Sequence, residues 1–243
     1  LWKKDEPHSF LDEVAEKLQI DKADILDYDL YLYNCDSCQM IGDSGVFTSP
    51  RIDNVSSVSA ILESLVQTGN KWKEEKGKGT EAALADEKIS EADGSDMNLD
   101  IGVFFDNEEI GSLSKQGADS GLLRMITERI LKDSGESRTI QELLPEIFLI
   151  SLDVAHGTHP NYQEKSDPVN RVLLGNGVVL KSSASQRYVT DSEAAAVIQV
   201  LCEDEGIPFQ RTVNKTGMPG GTTLGPIVSS YLPVKAVDMG MPV

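Results

Sequence analysis

Residues Leu99–Ser112 read L-D-I-G-V-F-F-D-N-E-E-I-G-S. The apolar run Leu99, Ile101, Val103, Phe104 and Phe105 has the composition of a core strand, and it stops abruptly at Asp106, Asn107, Glu108 and Glu109. The same pattern recurs downstream, where Ile147, Phe148, Leu149 and Ile150 run into Asp153 and His156. Helical spacing separates and follows these runs, from about Ala118 to Lys132 and from Asp191 to Cys202, and Ala236 to Met239 reads as a last strand. Upstream, Phe10, Leu11, Val14 and Leu18 predict an amphipathic helix behind the N-cap Ser9, with Asp12 and Glu13 in its first turn. Leu26, Tyr28, Leu30 and Leu32 alternate with Asp27, Asp29 and Tyr31 and predict a strand buried on one face. After the loop Gly42 to Pro50, Val55, Val58, Ile61, Leu62 and Leu65 restore a helical period, which places Asp53 where a loop enters a helix. Alternating strands and helices predict an α/β fold, a sheet covered by helices on both faces, with ligands at the carboxyl ends of strands.

Composition narrows the function classes. The 243 residues carry 22 Lys+Arg against 40 Asp+Glu, a formal charge of −18, which argues against a nucleic-acid binder held by a general phosphate field. A hydrophobic share of 40% with 26% charged residues is that of a folded domain, and the length suits one α/β domain spanning residues 1–243. Asn70 to Asn98 is dense in charge and glycine and poor in large apolar groups, so it reads as a polar surface excursion. No stretch approaches the ~20 apolar residues of a membrane span, and the charged amino terminus has no apolar signal core behind it. The first residue is Leu, which points to further sequence upstream. Three cysteines do not make an all-paired disulfide framework, so a reducing, cytoplasmic setting is expected.

Glu108 and Glu109, Asp153, and Asp53 are candidate ligands for a hard or borderline cation. Carboxylates at strand ends can equally solvate loops. What favours ligation is that an apolar strand delivers the two glutamates to the sheet rim, with little bulk in Gly111 and Ser112 beside them. Adjacent glutamates pointing to different sides can divide the labour, one binding metal and the other moving protons. His156 and His159, in H-G-T-H-P, either bend onto a metal or hydrogen-bond loop backbone. Cys35 and Cys38 form C-D-S-C without a second C-x-x-C and read as incidental thiols. The glycines of K-T-G-M-P-G-G-T-T-L-G-P do not have the spacing of a phosphate loop and read as a tight substrate-lining turn; G-x-S-x-G is absent.

Four ordered blocks carry a resemblance: S-P-R-I-D-N (Ser49–Asn54), F-F-D-N-E-E-I-G-S followed by Gln116-Gly117-Ala118, S-L-D-V-A-H-G-T-H-P-N-Y (Ser151–Tyr162) and G-G-T-T-L-G-P (Gly220–Pro226). Together they resemble the aspartyl aminopeptidase family of dinuclear zinc exopeptidases. The resemblance implies a mixed β-sheet sandwiched between helices and two zinc ions at its rim. It also implies that Asp53 bridges the metals, Glu109 binds one and Asp153 the other, and Glu108 is the general base. His156, Lys181 and Tyr188 match positions lining the substrate site. The charge of Lys181 suits an acidic N-terminal side chain, although a surface lysine is the plainer alternative. A cis peptide at Asp53-Asn54, peptide substrates beginning with Asp or Glu, and a large homo-oligomer are implied as well.

Departures from the family pattern matter too. Its zinc-binding histidines, in an H-x-D and an M-H-S segment, are expected before Leu1 and after Val243, together with most of the dimerisation domain upstream. The chain thus resembles the carboxyl-terminal part of a catalytic domain. Gly217 stands where an acidic residue is common in the family's R-S-D-M-P turn. A competing expectation is a structural or assembly module of the same fold, since two or three carboxylates per site are poor zinc ligands without histidine.

Overall fold

The computed structural model describes residues 9–83, 99–218 and 220–243. It divides into two compact units, Leu1–Pro50 and Arg51–Val243.

In the first unit, α1 (Phe10–Leu18) begins at the expected cap. Ser9 and Asp12 form a capping box, the Ser9 N–H donating to Asp12 Oδ2 at 2.6 Å and the Asp12 N–H to Ser9 Oγ at 3.4 Å. Strands β1 (Gln39–Met40) and β2 (Phe47–Thr48) pair antiparallel. The strand expected at 26–32 does not form: residues 26–38 have no regular structure, and Leu26 and Leu32 are 94% and 103% exposed. Alternation makes a strand only where a neighbour supplies a ladder and a core covers one face. Here the described residues supply neither.

The second unit opens with α2 (Ile52–Ala83), so the first half of the polar 70–98 segment continues a helix; residues 84–98 lie outside the described residues. Its sheet has the order β3-β6-β4-β5, built from β3 (Phe148–Leu152), β4 (Val178–Ser182), β5 (Phe209–Val213) and β6 (Lys235–Gly240). β3 runs parallel to β6 and β4 parallel to β5, whereas β4 and β6 are antiparallel, so the sheet is mixed as expected.

The two-residue side-chain period decides what each face buries. Leu180 and Val237, with Phe148, Val178, Phe209 and Met239, meet Ala194, Ile198 and Cys202 of α5 (Ser192–Asp204), whose cap Asp191 accepts from the Ala194 N–H at 2.7 Å. On the other face, Leu149 packs among Leu123 of α3 (Leu122–Asp133), Ile140 of α4 (Ile140–Leu143), and Val228 and Leu232 of α6 (Leu224–Tyr231). Helices therefore flank the sheet.

Three elements differ from expectation. Residues 99–105 join no ladder, although Val103 and Phe105 turn into the α3–α6 cluster while Phe104 between them stays exposed, which is strand-like alternation without strand pairing. α3 begins at Leu122 rather than Ala118, because Ala118 is fully buried in a bend and its carbonyl accepts from Tyr231 Oη at 3.0 Å. The turn expected around Gly217–Gly225 runs into α6, which hides behind helix-poor Gly and Pro. The strands β4 and β5 had no clear periodic signal.

Leu180 is 1% exposed at the centre of the α5 face. Leu180→Ala is expected to cost about 2–5 kcal/mol, read as a lower urea midpoint of the full-length protein; a change within error would place the core elsewhere.

Candidate functional site

Asp53 lies at a break in α2. Its φ/ψ of −80°/109° and those of Asn54, −122°/29°, are non-helical, and the peptide between them is cis. Asn54 Nδ2 donates to Leu152 O at 2.9 Å, which fastens this break to the end of β3. Asp153 follows immediately, its N–H donating to Met239 O of β6 at 3.1 Å. Loop entry and strand end thus meet through one side-chain amide.

Glu108 and Glu109 stand on a 3₁₀ turn, Glu108–Ile110, rather than at the end of a paired strand. Asn107 enters it with φ 62°, where asparagine is better tolerated than most residues, and Gly111 leaves it with φ 98°. The Gly111 N–H donates to Glu108 O and the Ser112 N–H to Asn107 O, both at 2.9 Å. The Q-G-A block closes the turn from behind: the Asp106 N–H donates to Gln116 O, and a Cβ at Gly117 would lie 2.1 Å from Ser112 O. Glycine at 117 is what allows that approach, so the two halves of the motif have one structural cause.

The four carboxylates act on one another. Loss of hydration first, then the charges of Asp153 and Glu109, push the Asp53 carboxyl above its ordinary range. Glu108, half-buried, is pushed up by burial and then by Glu109, Asp153 and Asp53, while Lys181 opposes both shifts. Neighbouring carboxylates with raised proton affinity are chemically suited to a divalent cation, which would offset their repulsion. Among the described residues, no group of three or more His, Cys, Asp and Glu side chains is placed to hold a metal ion. The carboxylates therefore fit part of a metal shell.

Lys181 is 2% exposed, so the surface-lysine alternative is overturned: β4 is an interior strand with both sheet neighbours in place. Its Nζ donates to Val154 O at 2.9 Å and lies 3.5 Å from Asp153 Oδ2. The Tyr188 ring is 5.3 Å from the same ammonium, and Tyr188 Oη donates to Asn214 Oδ1 at 3.4 Å. His156 and His159 line a cavity of about 350 Å³ with Tyr162, Lys165, Asn214 and Lys215, a lining that includes none of the four carboxylates. His159 Nδ1 accepts from the Asn161 N–H at 3.1 Å, which is the loop-bonding alternative. Cys35 and Cys38 are free and exposed, and Cys202 of α5 is free and buried against the sheet. The parts played by Asn54, Asn214 and the Val154 carbonyl were not legible in one dimension, since each joins segments distant in sequence. Among the described residues no helix is long and apolar enough to cross a membrane.

A family profile described as aminopeptidase I zinc metalloprotease (M18) matches residues 3–89 and 79–243. A probable M18 family aminopeptidase 2 of Clostridium novyi is 37% identical over 234 residues, 96% of this chain and 48% of that protein. An aspartyl aminopeptidase of Caenorhabditis elegans is 33% identical over 238 residues, 96% of this chain and 46% of that one. The crystal structure of yeast aminopeptidase 1 superposes with a TM-score of 0.72 at 22% identity, covering 96% of this chain and 48% of its own, and so shares the fold. The chain spans about half the length of the curated relatives it matches. With the profile covering nearly every residue, the chain belongs to the M18 family of zinc metalloproteases.

Proposed function

We propose that the full-length protein is a zinc-dependent aminopeptidase that removes acidic N-terminal residues, Asp or Glu, from peptides. The observation that carries this reading is the cluster of Asp53, Glu108, Glu109 and Asp153, in which burial first and mutual repulsion second raise the proton affinity of Asp53 and Glu108. Asp53, Glu109 and Asp153 would hold the zinc. Bound there, zinc would acidify a water and polarise the scissile carbonyl.

The remaining steps belong to the side chains. Glu108 takes the proton of the attacking water and delivers it to the leaving amine; its raised proton affinity suits a group that must both accept and donate. Asp153 is held by Lys181, which limits its reorientation. An ammonium has three N–H donors, and among the described residues two serve Val154 O and Asp153 Oδ2, which leaves one for a substrate carboxylate. Tyr188 and His156 complete the substrate wall. The name of the nematode relative, aspartyl aminopeptidase, supports the acidic preference. A yeast structure of the same fold is described as a dodecamer, and we extend homo-oligomerisation to the full-length protein. A structural or assembly module is the second reading, favoured by the lack of a three-donor group among the described residues.

In the full-length protein, Glu108→Gln is expected to lower kcat by about 100-fold or more with zinc content unchanged, whereas Asp53→Ala loses zinc. Metal analysis beside steady-state kinetics checks this, and the reverse pattern would exchange the two roles. Peptides beginning with Asp or Glu should be cleaved at least about tenfold faster than the same peptides beginning with Leu; equal rates remove the acidic preference, and zinc-independent inertness favours the assembly module.

The raised carboxyls also set a pH dependence for chelator-treated protein. Folded Asp53 and Glu108 hold protons more tightly than the unfolded chain, so their contribution is fully present below about pH 4 and is lost as pH rises through the folded values. Elsewhere, Asp12 and Glu136 are shifted downward and contribute with the opposite sign. The measurement is therefore a difference: the stability of Asp53→Asn relative to wild type should grow as pH rises. A constant difference from pH about 4 to 7 contradicts the repulsive field.

A further inference from the structure

Asp238 is fully buried in the middle of β6. Strand register sets it directly opposite Lys181 of β4 and beside Ser151 of β3, on the face away from α5. A carboxylate at such a place is tolerated only with fixed partners. The carboxylate has one in residue 189, Oδ2 accepting from the Val189 N–H at 2.6 Å, and the backbone of the same residue holds Thr190, the Asp238 N–H donating to Thr190 Oγ1 at 2.8 Å. The Thr190 hydroxyl in turn donates to Asp238 O at 3.4 Å. Two consecutive residues of an irregular segment are thereby tied to one residue of the central sheet.

The glycine-rich block supplies the space. A Cβ on Gly225, in the first turn of α6, would stand 2.7 Å from Asp238 Oδ2, 3.0 Å from Oδ1 and 2.7 Å from Val189 Cγ1. Only glycine lets α6 close over both the carboxylate and the segment it holds. The residue just before that segment is Tyr188, 7% exposed, whose ring sits 5.3 Å from the Lys181 ammonium. Lys181 then reaches Asp153.

We propose that Asp238 is a positioning residue for the acidic cluster: by holding the Val189 amide through its carboxylate it sets the Tyr188 ring against Lys181, and through Lys181 it fixes Asp153. The G-G-T-T-L-G-P block then serves the site indirectly, through Gly225, as well as by any contact with substrate. The kinetic consequence rests on the aminopeptidase reading; the placement of the segment does not.

The test uses full-length protein and two readouts. In Asp238→Ala, amide hydrogen exchange at Val189 should speed up at least about tenfold while the amides of α5 keep their protection. Unchanged exchange at Val189, or equal acceleration throughout, overturns the proposal. For cleavage of an Asp peptide, Asp238→Ala and Tyr188→Leu should each lower kcat/KM about tenfold, and the double variant should lose no more than about twofold further, because one acts through the other. Fully additive losses overturn it. Should Asp238→Ala fail to fold, Gly225→Ala decides: it keeps every polar group and crowds the carboxylate, and it must reproduce the local exchange pattern or the proposal fails. Full-length protein without peptidase activity would instead defeat the aminopeptidase reading, and the exchange readout would still decide the role of Asp238.

Discussion

The ammonium of Lys181 is where the sheet and the acidic cleft meet. A charge this deep is stable only if its acceptors are fixed before it arrives, since desolvation otherwise outweighs attraction. The acceptors are fixed by the ladder: β4 pairs antiparallel with β6, β6 pairs parallel with β3, and the chain leaving β3 presents the Val154 carbonyl and the Asp153 carboxylate to Nζ. Moving β4 by one residue would turn Lys181 toward the apolar α5 face and Leu180 toward the cleft. Register and electrostatics are thus one constraint.

Repulsion among the carboxylates works against the fold, and the backbone around them is correspondingly over-determined. Glu108 and Glu109 stand on a turn closed by the Gly111 and Ser112 amides and backed by the close approach of Gly117 to Ser112 O. Asp53 is held through the Asn54 side chain on Leu152 O. Glu108 and Glu109 are anchored by backbone bonds that do not involve their own side chains, whereas Asp153 Oδ2 faces the Lys181 ammonium at 3.5 Å.

Where a motif was made of residues that touch one another locally, its meaning was readable in advance. The Ser9 cap, the α5 start at Asp191 and the acidic ends of the 99–109 and 147–153 runs depend on neighbours within a few positions. The strand expected at 26–32 and the pairing expected at 99–105 failed for one reason: period-two alternation describes half of a strand, and the other half is a partner that lies elsewhere in the chain. β4 and β5 are the converse case, strands whose pairing outweighs a weak pattern.

By itself, the sequence determined the α/β class, the acidic character of the site and the family, because composition, short-range periodicity and ordered motif blocks are properties of a line. Tertiary structure alone decided that Lys181 is buried rather than superficial, that Tyr188 lies against it, and that Asp238 shares a register row with Ser151 and Lys181. Those facts depend on which strands become neighbours and in which direction they run. Strand order is chosen by the packing of both sheet faces at once, a long-range condition that no local window of residues contains.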